Sequence, residues 1–249
     1  MQSSMSTLFA ASPRAPDAVP PTALETGTVH VWSASLDPPP SQVRTLEACL
    51  SSTERERARR LRFDRDRQRY VVRRGLLRVI LGRYLGAAPE ELEFQYGDCG
   101  KPELDPSTSD GSLRFNLSYT YDLALYAVAR GQELGVDVER IRDKSYLGLA
   151  TRYFSAAERA ELRGLPVESR AQGFFNGWSR KESYVKALGT GLVTRLDSFT
   201  VNLTPGEPAR LLSGAPGWSL AGLDVPAGHA AALTVGGTCE CIVQGGWSS

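Results

Sequence analysis

Histidine is almost missing from this chain of 249 residues: His30 and His229 are the only two. Cysteine is scarce as well, with Cys49, Cys99, Cys239 and Cys241, no Cys-x-x-Cys pair, and no histidine at metal spacing from any of them. This argues against a structural zinc site and a disulfide scaffold, and the closely spaced Cys239 and Cys241 read as small buried hydrophobes on one face of a strand. No run approaches the ~20 apolar residues of a membrane span, and the N-terminus lacks a charged segment followed by an apolar one. A cytoplasmic protein that does not engage membranes is the expectation. Net charge is missing too: 29 Lys plus Arg against 28 Asp plus Glu leave +1, so no overall field draws the molecule to nucleic acid or anionic lipid. Lysine itself is rare, limited to Lys101, Lys144, Lys181 and Lys186 among many arginines.

What is present fits a folded protein. With 41% hydrophobic and 23% charged residues the chain is globular, long for one ordinary domain and short for two. Residues 1–27, rich in Ala, Ser, Pro and Thr, read as a disordered tail. Order is expected from Val29, where residues 29–34 alternate like a strand ended by Pro38 to Pro40. Ser51 and Glu54 have capping-box spacing and open one long helix or two, ending near Gly86. Past a loop over Gly97 to Gly111, residues 113–118 and 123–129 read as strands, with a turn at Arg130 to Glu133 into a strand over 134–139. Ser155 and Glu158 form a second capping box for a short helix, and residues 170–188 are helix-permissive up to Gly189. Strand candidates follow at 198–203, 218–223, 230–235 and 239–243. The class is α+β, with no fixed-period repeat.

Three stretches carry chemistry. In Gly135-Val136-Asp137-Val138-Glu139 a strand would turn Val136 and Val138 to a core and set Asp137 and Glu139 on the other face, ~6.5 to 7 Å apart. Such a pair suits Mg²⁺, which takes one or two carboxylates and completes its shell with water and substrate phosphate, although a solvated strand face looks the same. On a helix from Trp178 to Gly189, Trp178, Glu182 and Lys186 form one stripe, while Lys181, Val185 and Leu188 form another. A Glu to Lys pair there would also serve plain helix stability, yet two of the four lysines are concentrated here. The third stretch, Glu54 to Arg78, holds eleven Arg against four acids. Arginine forks suit phosphate, and paired surface arginines account for much of such a run. Aromatic platforms and groove-reading motifs for nucleic acid are lacking, as are P-loop and dinucleotide fingerprints. Ser118 has no G-x-S-x-G context, which argues against a hydrolase nucleophile.

Taken together, Arg55-Glu56-Arg57-Ala58-Arg59-Arg60-Leu61, Gly100-Lys101-Pro102, Phe115-Asn116-Leu117-Ser118, Gly135-Val136-Asp137-Val138-Glu139, Phe154-Ser155-Ala156-Ala157-Glu158 and Trp178-x-x-Lys181-Glu182-x-x-x-Lys186 resemble the 4′-phosphopantetheinyl transferase superfamily, Sfp type, over about residues 29 to 243. The resemblance implies a pseudo-dimer of two similar α+β halves, here 28–133 and 134–245, with the active site in the cleft between them. It implies transfer of the 4′-phosphopantetheine arm of coenzyme A to a serine of an apo acyl or peptidyl carrier protein, releasing adenosine 3′,5′-bisphosphate, by a monomer that binds no nucleic acid.

By the same resemblance Asp137, Glu139 and Glu182 hold Mg²⁺ or Mn²⁺, Glu182 doubles as general base, and Lys186 steadies the pyrophosphate. Arg57, Arg69 and Lys101 match basic positions that grip coenzyme A, and Ser118, Tyr119, Asp137, Lys181 and Lys186 complete its contacts. One position departs: many members have Ser-His where this chain has Ser118-Tyr119, and a phenol donates a hydrogen bond but never becomes cationic. Glu54 likewise replaces a basic position. The competing expectation is a non-catalytic binder of coenzyme A or carrier domains with the same fold. A further one is an arginine-helix nucleic-acid or partner-binding protein in which Asp-x-Glu is surface charge.

Overall fold

The computed structural model describes residues 10–11, 24–97, 99–142 and 146–247. In chain order the first stretch carries β1 (Ala10–Ala11), β2 (Thr28–Ser35), α1 (Pro40–Ala48), α2 (Ser52–Arg59), α3 (Asp64–Leu85), β3 (Phe94–Tyr96), β4 (Pro102–Leu104), β5 (Leu113–Thr120) and β6 (Leu123–Arg130). After the turn at Gly131 come β7 (Leu134–Arg140), α4 (Tyr146–Tyr153), α5 (Ala156–Gly164), α6 (Val167–Leu188), β8 (Thr200–Val201), β9 (Leu211–Ser213), β10 (Trp218–Gly222), β11 (His229–Gly236) and β12 (Cys241–Gly246). Counted from β2 and from β7, the two runs share one order: a strand, three helices, a short hairpin and two strands.

Sheet order repeats as well. Within the first sheet, β1-β12-β2-β6-β5, the segment β2-β6-β5 matches the second sheet, β7-β11-β10, and every neighbour in these two segments is antiparallel. The repeat extends to local chemistry. Ser51–Glu54 and Ser155–Glu158 both close complete capping boxes, and α3 and α6, each 22 residues long, both end on glycines in the left-handed region, Gly86 at φ 64° and Gly189 at φ 69°. Each capping glutamate also reaches a buried cation of the following long helix. Glu54 Oε2 lies 2.6 Å from Arg78 Nε and Glu158 Oε1 lies 2.7 Å from Lys181 Nζ. Arg78 stands as far into α3 as Lys181 into α6. The sequence shows no fixed-period repeat because what is duplicated is topology and a few anchoring contacts.

Cores follow the same division. Trp32, Val72, Leu76, Ile80, Phe115 and Tyr126 pack together in the first half, and Phe154, Phe174, Phe199, Val201 and Leu203 in the second. A third cluster joins Val29, Val31 and Leu125 to Val136, Val138 and Leu233, so apolar side chains from both sheets fuse the halves. β12 strengthens the join by pairing in parallel with β2.

Several details differ from the expectations. Of the two alternatives for the long polar segment, two helices is the one found, since residues 60–63 turn the chain between α2 and α3. The Pro38 to Pro40 break is also the start of α1, where Pro40 takes a first-turn position that needs no N–H donor. The loop over Gly97 to Gly111 begins inside the β3–β4 hairpin. Cys239 precedes β12, so it does not share a strand face with Cys241, though it is buried. Most of the expected tail lies outside the described residues. Within it Leu24 is buried in the first core, so packing begins before Val29.

Candidate active site

The outer edge of β5 lies against β7, and side chains of β5 supply what a ladder would. Asn116 Oδ1 accepts the Val136 N–H at 2.9 Å, and Ser118 Oγ accepts the Val138 N–H at 3.3 Å. The acidic strand of one half is thus docked on the other. Helix α6 crosses β7 at very short range: a Cβ on Gly135 would fall 2.1 Å from the Ser183 carbonyl oxygen and 2.3 Å from the Ala187 nitrogen. Only glycine permits that approach, and it brings the Glu182 to Lys186 stretch down onto Asp137.

At the crossing, Lys186 Nζ donates to Asp137 Oδ1 at 2.6 Å and to Ser118 Oγ at 2.9 Å, while Ser118 Oγ donates to the same Asp137 oxygen at 2.9 Å. Asp137 is 3% exposed, and its Oδ2 is buried with no partner. Burial, then the Asp137 charge, pushes the Glu139 carboxyl up to about 7, with Lys186 opposing. Burial, again with Asp137 second, raises Glu182. The Asp137 charge thus adds to burial at both Glu139 and Glu182, and Lys186 offsets it only in part.

A buried carboxylate oxygen without a donor beside two acids raised by burial is a fit for a divalent cation. The acids are not a closed cage: among the described residues no group of three His, Cys, Asp or Glu side chains is arranged to hold a metal ion. That is compatible with Mg²⁺, which takes one or two protein carboxylates and the remainder from water and phosphate. Beside the acids opens a cavity of about 310 Å³ with mainly apolar walls, lined among others by Lys101, Leu117, Glu182, Val185, Lys186 and Leu196. Its size suits part of a small-molecule ligand.

The structure brings Ser118, Asp137, Glu139, Glu182 and Lys186 together and redirects others. Lys181, expected at coenzyme A, is fully buried, paired with Glu158 and donating to the carbonyls of Leu196 and Phe199 at 2.6 and 2.7 Å. It faces the second core because it sits one residue, about 100°, round α6 from Glu182. Arg69 is turned to Asp37, donating from Nε at 2.8 Å and from Nη2, so its fork is already matched to a carboxylate. Lys101 borders the cavity, but its three donors meet Glu133 Oε2 and the carbonyls of Leu134 and Ala187 at 3.2, 3.2 and 3.4 Å. It ties the halves together. Glu54 is the buried partner of Arg74 and Arg78. Arg57 is exposed at the end of α2 and enters no ion pair among the described residues.

Tyr119 is half-exposed, with the Arg73 guanidinium 3.7 Å over its ring centre. Sequence reasoning missed Arg73 and the bonding role of Asn116. The second was findable, because Asn116 and Ser118 alternate onto one face of a strand. Neither histidine belongs to the acidic cluster: His30 is buried against Tyr84, and His229 bonds the Pro226 carbonyl.

Comparison with known proteins agrees with this division. A family model described as the 4′-phosphopantetheinyl transferase superfamily matches residues 133–234, and one described as 4′-phosphopantetheinyl transferase, N-terminal, matches residues 34–130. The 4′-phosphopantetheinyl transferase HetI of Nostoc sp. is 43% identical over 210 residues, 84% of this chain and 88% of its own. The 4′-phosphopantetheinyl transferase Sfp of Bacillus subtilis (strain 168) is 30% identical over 177 residues, 70% of this chain and 77% of its own. A solved structure, holo-[acyl-carrier-protein] synthase (AcpS) of Thermotoga maritima, aligns over 43% of this chain and 63% of that one at 20% identity and a TM-score of 0.35. Since the two family models meet at the turn that divides the fold, and a 43% identical relative is spanned over 88% of its length, the chain belongs to the 4′-phosphopantetheinyl transferase superfamily.

Proposed function

We propose that the protein transfers the 4′-phosphopantetheine arm of coenzyme A to a serine hydroxyl of an apo acyl or peptidyl carrier protein, leaving adenosine 3′,5′-bisphosphate. The observation that carries this reading is the buried, unpartnered Asp137 Oδ2 beside Glu139, Glu182 and Lys186 at the seam of the halves. Asp137 through its free Oδ2, joined by Glu139 or Glu182 and by water and phosphate oxygens, would hold Mg²⁺ or Mn²⁺, and the cation when bound would neutralise charge on pyrophosphate oxygens.

The chain's own groups account for the rest. Glu182, with its carboxyl raised by burial, is the group that would take the serine proton, directly or through one water. Lys186 projects into the cavity from the same helix face and offers its ammonium to the pyrophosphate as the charge there grows. Cytoplasmic location and action as a monomer belong to the same proposal. No helix among the described residues is long and apolar enough to cross a membrane.

The test is an intact-mass measurement on an apo carrier protein incubated with the enzyme, coenzyme A and Mg²⁺. The carrier should gain the phosphopantetheine mass on its serine, and only with divalent metal present. An unchanged carrier mass with enzyme and metal in excess, across acyl and peptidyl carriers, would overturn the assignment.

A further inference from the structure

We propose that the Ser118 hydroxyl, supported by Asn116, is a positioning group: it holds Asp137 so that Oδ2 is left for a divalent cation. This rests on reading Asp137 as a cation ligand, and it adds the group that aims it.

A hydroxyl has one donor and two acceptor lone pairs. Ser118 is 4% exposed, and around its oxygen stand Lys186 Nζ at 2.9 Å, the Val138 N–H at 3.3 Å and Asp137 Oδ1 at 2.9 Å. The first two are donors, so the hydroxyl proton goes to the carboxylate. All three capacities of the hydroxyl are used within the protein.

The bonds also converge from three elements: β5, β7 and α6. Asp137 Oδ1 receives both Ser118 and Lys186, while Oδ2 receives nothing. Asn116, 5% exposed, repeats the clasp two residues earlier at the Val136 N–H. Two side chains of the first half thus fix the height and rotation of the acidic strand of the second. Without the Ser118 hydroxyl, Asp137 can turn about its last bond and let Lys186 bridge both oxygens, which competes with the cation. Groups that orient a metal-binding side chain are commonly worth 10 to 100-fold in affinity or activity.

The experiment uses the full chain and Mn²⁺ as the probe, with free Mn²⁺ read by electron paramagnetic resonance in the absence of coenzyme A and carrier. Ser118→Ala should weaken Mn²⁺ binding about 10 to 100-fold, lower kcat, and leave the KM for coenzyme A within about threefold at saturating metal. Asn116→Ala should move the same readouts in the same direction by less, since it supports the strand and does not touch the carboxylate. If Ser118→Ala shows no cooperative melt, Ser118→Cys, which keeps the volume and weakens each bond, takes its place.

A rise in the KM for coenzyme A with Mn²⁺ binding unchanged would overturn the proposal, because it is what a substrate ligand would do. Unchanged values of both would overturn it as well. A wild type that modifies carriers and binds Mn²⁺ while the variant matches it sinks this inference alone. A wild type that binds no Mn²⁺ sinks the reading of Asp137 beneath it.

Discussion

The ammonium of Lys181 lies 2.7 Å from the Glu158 carboxylate with both side chains fully buried, and Glu54 with Arg78 builds the same contact in the other half. Lys181 Nζ also lies 4.2 Å from the Phe199 ring centre. Each pair links a short capping helix to the long helix that follows. The Lys181–Glu158 pair is therefore part of what fixes the roll of α6, and with it the direction of Glu182.

Removing one partner leaves a buried, unpaired charge, which typically costs about 3 to 5 kcal/mol. Lys181→Met should lower the unfolding free energy in urea by that order. Joining Glu158→Gln to it should recover part of the loss, because the stranded carboxylate is then gone. The KM for coenzyme A of the folded Lys181→Met protein should stay close to wild type. A large KM rise without loss of stability would return Lys181 to the substrate.

The metal-free protein should lose stability as pH rises from about 5 to 8. Glu139 is raised from its usual 4.5 to about 7, so the folded state binds more protons than the unfolded one between those values. Stability then falls with pH across that window and is greatest below it. Urea midpoints in EDTA should show the slope, Mg²⁺ should flatten it, and Glu139→Gln should remove much of it. A rising midpoint over this range contradicts the electrostatics of the site.

Glu182→Gln keeps the side-chain volume and removes the proton acceptor. Turnover should drop by ~10² to 10⁴-fold, with a far smaller change in coenzyme A affinity measured by calorimetry. Near-normal turnover in this variant would mean that Glu182 is only a partly buried helix residue.

Arg73, stacked on Tyr119 and without an ion pair among the described residues, is a cation at the position where the resemblance expects an imidazole. Arg73→Ala should weaken coenzyme A more than dephospho-coenzyme A, by the ~1.5 to 3 kcal/mol of a charge-assisted hydrogen bond. Lys101→Ala should weaken both ligands alike, since Lys101 ties Glu133, Leu134 and Ala187 together. The opposite pattern would put the phosphate at Lys101.

Features set by neighbours in sequence were legible without a fold. Both capping boxes, the stops at Gly86 and Gly189, the strands over 113–118 and 123–129 and the acidic alternation of β7 rest on bonds and dihedrals within a few residues. The chemistry of the site was legible too, as residue types at fixed spacing. Tertiary structure alone decided which of the adjacent Lys181 and Glu182 faces the acids, that Ser118 serves Asp137, that Lys101 and Arg69 already have partners, and that β12 crosses to the first sheet. Helical periodicity says that two residues face differently, and only packing says which direction is the site. Ser118, Asp137 and Lys186 come from three separate elements and meet because β5 lies along β7 and Gly135 lets α6 descend on it. Such a contact is fixed by how whole surfaces fit, a property that no short window of sequence contains.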